Sequence, residues 1–140
     1  MKTKRLLLIV LVLIPIFALA LTSCADGITG DEAKAHIEAF FGEVEAGNFE
    51  EAEAYLHSER PASLQEFFDS VEESEELDFQ SGIEVKKYTG FSTAYYDSSV
   101  QGSTYSLNMI ATVGDKEVDK YIEIVRNDNG FGIYNFKIDT

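Results

Sequence analysis

The side chains able to do acid–base work are few. The chain holds two histidines, His36 and His57, a single cysteine, Cys24, and seven tyrosines. A histidine beside a tyrosine in an enclosed site can move a proton near neutral pH. His36 comes one residue before Ile37, at the border of an apolar helical stripe, so it can reach inward beside Phe40. A strand tyrosine, Tyr105 or Tyr134, is the expected polar partner, which makes His36, Tyr105 and Tyr134 a speculative pocket. The plainer expectation is a boundary histidine without chemistry, with strand tyrosines serving as core and cross-strand contacts. His57 falls at the expected end of a helix, where the dipole favours a cation. No catalytic residue can be assigned.

Other chemistries fail on spacing. No serine sits in a Gly-x-Ser-x-Gly elbow. Gly130-Phe131-Gly132 lacks the third glycine of a dinucleotide loop and the helix that follows it. In Asn127-Asp128-Asn129-Gly130, placing Gly130 at the sixth position of a calcium loop puts Val125, which has no side-chain oxygen, at the first. Two separated histidines and one cysteine do not make a zinc site. Glu72-Glu73 and Glu75-Glu76 attract divalent cations, but their spacing defines no cage. No metal and no cofactor are expected.

Cys24 has a different context. Lys2, Lys4 and Arg5 precede an apolar run from Leu6 to Leu21, interrupted by Pro15. The run is about 16 residues, short of the roughly 20 a spanning helix needs. A basic start, a short apolar run and small residues match a secretory signal. Leu21-Thr22-Ser23-Cys24 then resembles the lipobox of bacterial lipoproteins. The resemblance implies diacylglyceryl transfer to the Cys24 thiol and cleavage between Ser23 and Cys24. Residues 1–23 would be the signal peptide, 24–30 the lipidated cysteine and a tether, and 31–140 a single domain. An uncleaved anchor with an incidental cysteine, or a secreted chain, are the alternatives. Two or more acyl chains exceed the threshold for stable anchoring, so the expected location is extracytoplasmic, on a bacterial membrane. Ala25 stands where some Gram-negative lipoproteins carry the aspartate of inner-membrane retention. That favours the outer membrane where there is one. With one cysteine no intramolecular disulfide can form, and the domain must fold by its core alone.

The charge is strongly negative. The net is −14, and removing Lys2, Lys4 and Arg5 with the signal takes it to −17. From Cys24 to Gln80 the bases are Lys34 and Arg60 alone, against 17 acids. Such a surface repels phosphate backbones, which excludes nucleic acid as a partner. It also repels anionic headgroups, so the acyl chains must hold the membrane without electrostatic help. The acidic half is either a face for cations or basic partners, or a solvated helical surface.

Hydrophobic period divides the domain. Thr29-Gly30-Asp31-Glu32 reads as a capping box opening a helix over Asp31–Ala46, with Ile37, Phe40, Phe41 and Val44 as its stripe and Gly47 as its stop. Asn48 is expected to cap a second helix from Phe49 to about His57, with Phe49, Ala52, Tyr55 and Leu56 inward. Pro61 suits the first turn of a third, with Leu64, Phe67, Phe68 and Val71 inward. Glu72 to Asp78 reads as a frayed end. Alternation then takes over: Ile83–Tyr96, either one strand bending near Gly90 or two short ones meeting there, then Tyr105–Val113, Val118–Arg126 and Phe131–Ile138. Gly114-Asp115 and Asn127-Asp128-Asn129-Gly130 are hairpin turns. Val118, Ile122 and Ile124 should share one face, with Tyr121 and Val125 on the other. Helices followed by an antiparallel meander predict an α+β fold, N-terminal helices on a curved sheet.

Gly47-Asn48-Phe49-Glu50-Glu51-Ala52 after the first helix, and the closing Asn129-Gly130-Phe131-Gly132-Ile133-Tyr134, resemble nuclear transport factor two-like domains. The resemblance implies a cystatin-like cone, helices against a strongly bent sheet. Such cones serve as binding modules and as enzymes, so fold alone does not decide. The leading expectation is a lipid-anchored, non-catalytic binding or interaction module at the cell envelope. Its partners would be the membrane through the N-terminal lipid and an envelope protein or small ligand. The alternative is a small cavity enzyme, an acid–base isomerase or dehydratase. A filled interior argues for the first, and a titratable group in an enclosed cavity for the second. A self-associating spacer, the third reading, would expose an apolar patch on the sheet.

Overall fold

A computed structural model describes residues 27–139. Helices α1 (Gly30–Glu45), α2 (Phe49–Glu53) and α3 (Leu64–Glu75) come first, then a 3-10 turn (Phe79–Ser81). Strands β1 (Ile83–Asp97), β2 (Gly102–Val113), β3 (Lys116–Asn127) and β4 (Gly130–Asp139) follow. The sheet is a four-stranded antiparallel meander in the order β1-β2-β3-β4. The fold is α+β, as the change of period predicts. Among the described residues no helix is long and apolar enough to cross a membrane.

Local chemistry sets the helix ends. Thr29 accepts from the Glu32 amide at 3.2 Å. The return half of the capping box is not made, because the Glu32 carboxylate pairs with Arg126 of β3. At the other end Asn48 N–H donates to Glu43 O and Gly47 N–H to Val44 O, with Gly47 at φ 77°. This is a Schellman stop, which needs the left-handed residue that glycine supplies. The Asn48 side chain does not cap α2. Its Nδ2 turns back to Glu43. α2 stops at Glu53, short of the expected His57, because the next residues belong to the sheet. Ile133 N–H donates to Tyr55 O and His57 N–H to Ile133 O, a short parallel bridge onto β4. Pro61 lies outside α3, which begins three residues later, and the first α3 amide, Leu64 N–H, is satisfied by Glu53 of α2 at 3.2 Å.

The acids of the helical half are used in this way more than once. Glu45 accepts from Ile83 N–H and Glu72 from Phe79 N–H, each at 3.0 Å. These carboxylates fasten helix ends to the sheet and the 3-10 turn. Among the described residues no group of three or more histidine, cysteine or acidic side chains could hold a metal ion.

The core lies between helices and sheet. Ile37, Phe40 and Val44 of α1 are fully buried, and Tyr105, Leu107, Met109, Ala111 and Val113 of β2 face them, as the alternation requires. β1 is one bent strand, with register shifts at Val85/Lys87, Tyr88/Gly90 and Ala94/Asp97. Gly132 lets the bridge segment approach β4: a Cβ there would stand 2.6 Å from His57 N and from Leu56 C. Both obstacles are backbone. Gly132→Ala is therefore expected to cost about 1–3 kcal/mol, the range of an overpacked core, read from urea midpoints.

Candidate functional site

The three residues of the expected pocket are not brought together. His36 Nε2 donates to Tyr55 O at 2.9 Å, and its ring meets the rings of Tyr55 and Phe131 edge-on. Tyr105 is stacked under Phe91, ring centroids 6.0 Å apart, with its hydroxyl against Gly30. Tyr134 packs on His57 and lies under Arg60. No hydrogen bond or ring contact joins His36, Tyr105 and Tyr134 among the described residues. Ser23 and Cys24, the expected cleavage and lipidation residues, lie outside those residues.

The space where a cone cavity would open is filled by aromatic rings. Phe68 of α3 meets Phe40, Phe49, Phe79 and Phe136 at centroid distances of 4.7–6.4 Å. Phe136 of β4 also meets Phe40, Phe41 and Phe67.

His57 is not a solvated helix-end cation. It is fully buried, three residues past the end of α2's capping residue, and it organises a polar knot. Glu59 N–H donates to His57 Nδ1 at 3.1 Å, so that nitrogen is an acceptor and the proton sits on Nε2. Nε2–H donates to Asn127 Oδ1 at 3.0 Å. Asn129 N–H donates to the same oxygen, while Asn127 Nδ2 donates to Glu59 and to Val100 O. The Asn127 amide thus makes four hydrogen bonds, two as acceptor and two as donor. The Asn127 amide beside Glu59 is the main influence holding its carboxyl below the usual range. The knot ties the 57–60 loop to the turn between β3 and β4 and to that between β1 and β2. Both imidazole nitrogens are committed to these hydrogen bonds. His57→Ala leaves Glu59 N–H unpaired beside a cavity and is expected to cost about 2–3 kcal/mol, measured by denaturant unfolding.

The buried group that sequence reasoning missed is Lys120. Its side chain is on the core face of β3, and the residue is 3 % exposed. Nζ lies 4.3 Å from the Phe41 ring centroid and 5.6 Å from that of Phe79. Lys120 Nζ and Tyr88 Oη are the buried side-chain polar atoms without a hydrogen-bond partner among the described residues. Burial pushes the Lys120 ammonium down to about 7 and the Tyr88 hydroxyl up. A lowered lysine can act as a nucleophile or base where substrate can reach it. Here Phe41 and Phe79 cover the amine.

An apolar groove of about 280 Å³ lies between the 56–64 loop, α3 and β4. Leu56, Pro61, Leu64, Phe67 and Phe136 line it, and Arg60 stands at its rim, 4.4 Å from the Tyr134 ring centroid. Arg60 is one of the two bases in the acidic half. An apolar groove with one oriented cation suits an apolar group that carries a negative end. A second depression, about 150 Å³ and polar, is lined by Glu59, Asn127, Asp128 and Asn129 of the knot.

No family model, curated protein or solved structure matches this chain.

Proposed function

We propose that this chain is a bacterial lipoprotein, held outside the cytoplasm by acyl chains on Cys24, whose domain is a non-catalytic binding module. The observation that carries the second half is the filled helix–sheet interior. A cavity enzyme needs a titratable group facing an enclosed space, and rings of Phe40, Phe68, Phe79 and Phe136 occupy that space here. The two histidines are engaged in hydrogen bonds that build the fold. Helices covering one face of a bent antiparallel meander support the nuclear transport factor two-like reading of the architecture. In that reading the cone has been closed by aromatic side chains and the ligand surface moved outside it. The binding surface is the groove beside β4, and the ligand class is an apolar or aromatic group with a carboxylate toward Arg60. The acidic remainder of the surface discourages nucleic acid and selects against multiply charged anions. Membrane attachment follows from the lipobox resemblance alone.

Two measurements test the two halves. Cys24→Ser should leave an unlipidated, uncleaved precursor; normal processing and membrane retention of that variant would remove the anchor. For the domain, the detergent-purified lipoprotein is screened by thermal shift against aromatic and aliphatic carboxylates. A ligand at 100 times its Kd stabilises by about 2.7 kcal/mol, which is readily seen. Arg60→Gln should weaken such a ligand roughly tenfold, one lost charge-assisted contact. Turnover of a screened compound, lost in His36→Ala with the fold intact, would replace the binding module with the enzyme.

A further inference from the structure

We propose that the aromatic side chains Phe91, Tyr95 and Tyr96 of β1 are the surface on which the domain rests against the lipid interface. They are the large hydrophobic residues exposed among the described ones, at 68 %, 83 % and 68 %. The inference rests on the lipoprotein reading and adds to it an orientation.

Three observations place this patch beside the membrane. The first is where the chain enters the fold. The expected tether ran from Cys24 to Gly30, but the described chain is already docked at Gly27. Gly27 O accepts from Arg126 Nη1 at 2.6 Å, Ile28 is buried in the core, and Thr29 caps α1. Arg126 is itself fixed by Glu32 and by the Phe131 ring. Only Ala25 and Asp26 separate this clamp from Cys24. Three residue steps reach about 10 Å at full extension. The polar layer on each side of a bilayer is itself roughly 5–8 Å deep, so Gly27 cannot stand far from it.

The second observation is what surrounds Gly27. A Cβ built there would lie 2.9 Å from the Tyr95 ring, so ring and chain entry are in contact. Phe91 stacks on Tyr105, whose hydroxyl abuts Gly30. Two of the three exposed rings are thus tied to residues 27–30. The third observation is charge. In a chain this acidic, no residue from Tyr88 to Tyr96 is charged. Tyrosine is a residue that settles at the headgroup level, with its ring toward the chains and its hydroxyl in the polar layer. β1 is also an edge strand, so the rings stand at the margin of the sheet. The strand segment nearest the chain entry is therefore uncharged and aromatic, flanked by Asp97 and by the Arg126–Glu32 pair, and the groove beside β4, on the opposite edge strand, stays open to a ligand.

The chain contains no tryptophan, so a single introduced one reports alone. Full-length lipidated Tyr95→Trp and Phe91→Trp are placed in vesicles of acyl-brominated phosphatidylcholine. Lys86→Trp is the control, nine residues and up to about 30 Å back along β1. Intact mass and vesicle flotation are recorded for each. The expected result is quenching of roughly half the Tyr95→Trp and Phe91→Trp emission, and little for Lys86→Trp. If the mass carries the lipid and the protein floats but neither aromatic position is quenched, the patch does not face lipid, and the anchor stands. Equal quenching at Lys86→Trp means no fixed orientation and overturns the proposal. A blue shift without quenching that grows with protein concentration assigns the patch to a second copy and also overturns it. Absence of lipid mass and flotation removes the anchor, and this inference with it.

Discussion

Lys120→Met is expected to stabilise the domain at neutral pH by about 3 kcal/mol. The amine is buried among rings with no hydrogen-bond partner. Lowering its proton affinity from 10.5 to about 7 corresponds to roughly 5 kcal/mol at 1.36 kcal/mol per unit. Only part of this is recovered on substitution, since replacing buried charge by a packed apolar side chain of similar volume gains about 1–4 kcal/mol. Methionine fills a similar volume without the charge. The sign of the pH dependence follows from the same shift. Below about 7 both folded and unfolded chains hold the proton, and the cost is fully present. Between about 7 and 10.5 the unfolded chain holds it and the folded chain does not, so stability rises with pH. Tyr88 and Tyr121 act in the opposite sense above their ordinary value of 10.0, because burial raises both and the unfolded chain releases its protons first. Urea unfolding from pH 7 to 10 should therefore show a rising midpoint in the native chain and a flat one in the variant. Parallel curves would show that the amine reaches water.

Lys120 also shows what the sequence allowed one to see. Val118, Ile122 and Ile124 share a face by parity, and parity places Lys120 on that face too. Reading the strand by its apolar residues alone skips the one charged residue that the period forces inward. The signal was there. β2 is the easier case: Tyr105, Leu107, Met109, Ala111 and Val113 alternate without a break, and all are buried. α1 is equally legible, since its stripe, its threonine cap and its glycine stop are all local.

Long-range contacts were not legible. α2 stops at Glu53 because residues 55–57 pair with Ile133, a partner far along the chain that no local period announces. The same pairing buries His57, which a local reading places at a solvated helix end. Asn127 reads as a turn residue, and it is one. Its second role, satisfying His57, Glu59 and Val100 together, depends on three loops meeting. The tether is similar: Ile28 is too isolated to predict burial, and Arg126, which fixes it, lies on β3.

Phe68→Ala is expected to cost about 3–5 kcal/mol, the range for deleting a fully buried ring, and to release α3 before the sheet. The helix has little to hold it otherwise. It is 12 residues long, too short to be stable alone in water. Its last turn carries Glu72, Glu73 and Glu75 and no base, so its charges oppose the helix dipole. It ends at Glu76 in the left-handed region, φ 51°, without the glycine that would relieve it. Within α3 only Leu64 and Phe68 are buried. Phe68 alone touches rings from α1, α2, the 3-10 turn and β4, so its ring is the joint between the acidic helical half and the sheet. Hydrogen exchange should therefore lose protection first across 64–75 in the variant, while β2 and β3 keep theirs. Phe67→Ala, from the half-buried neighbour that faces the groove, should cost less and leave α3 in place. A Phe68→Ala shift within about 0.5 kcal/mol would mean that the Glu53 and Glu72 carboxylates, not the ring, hold the helix.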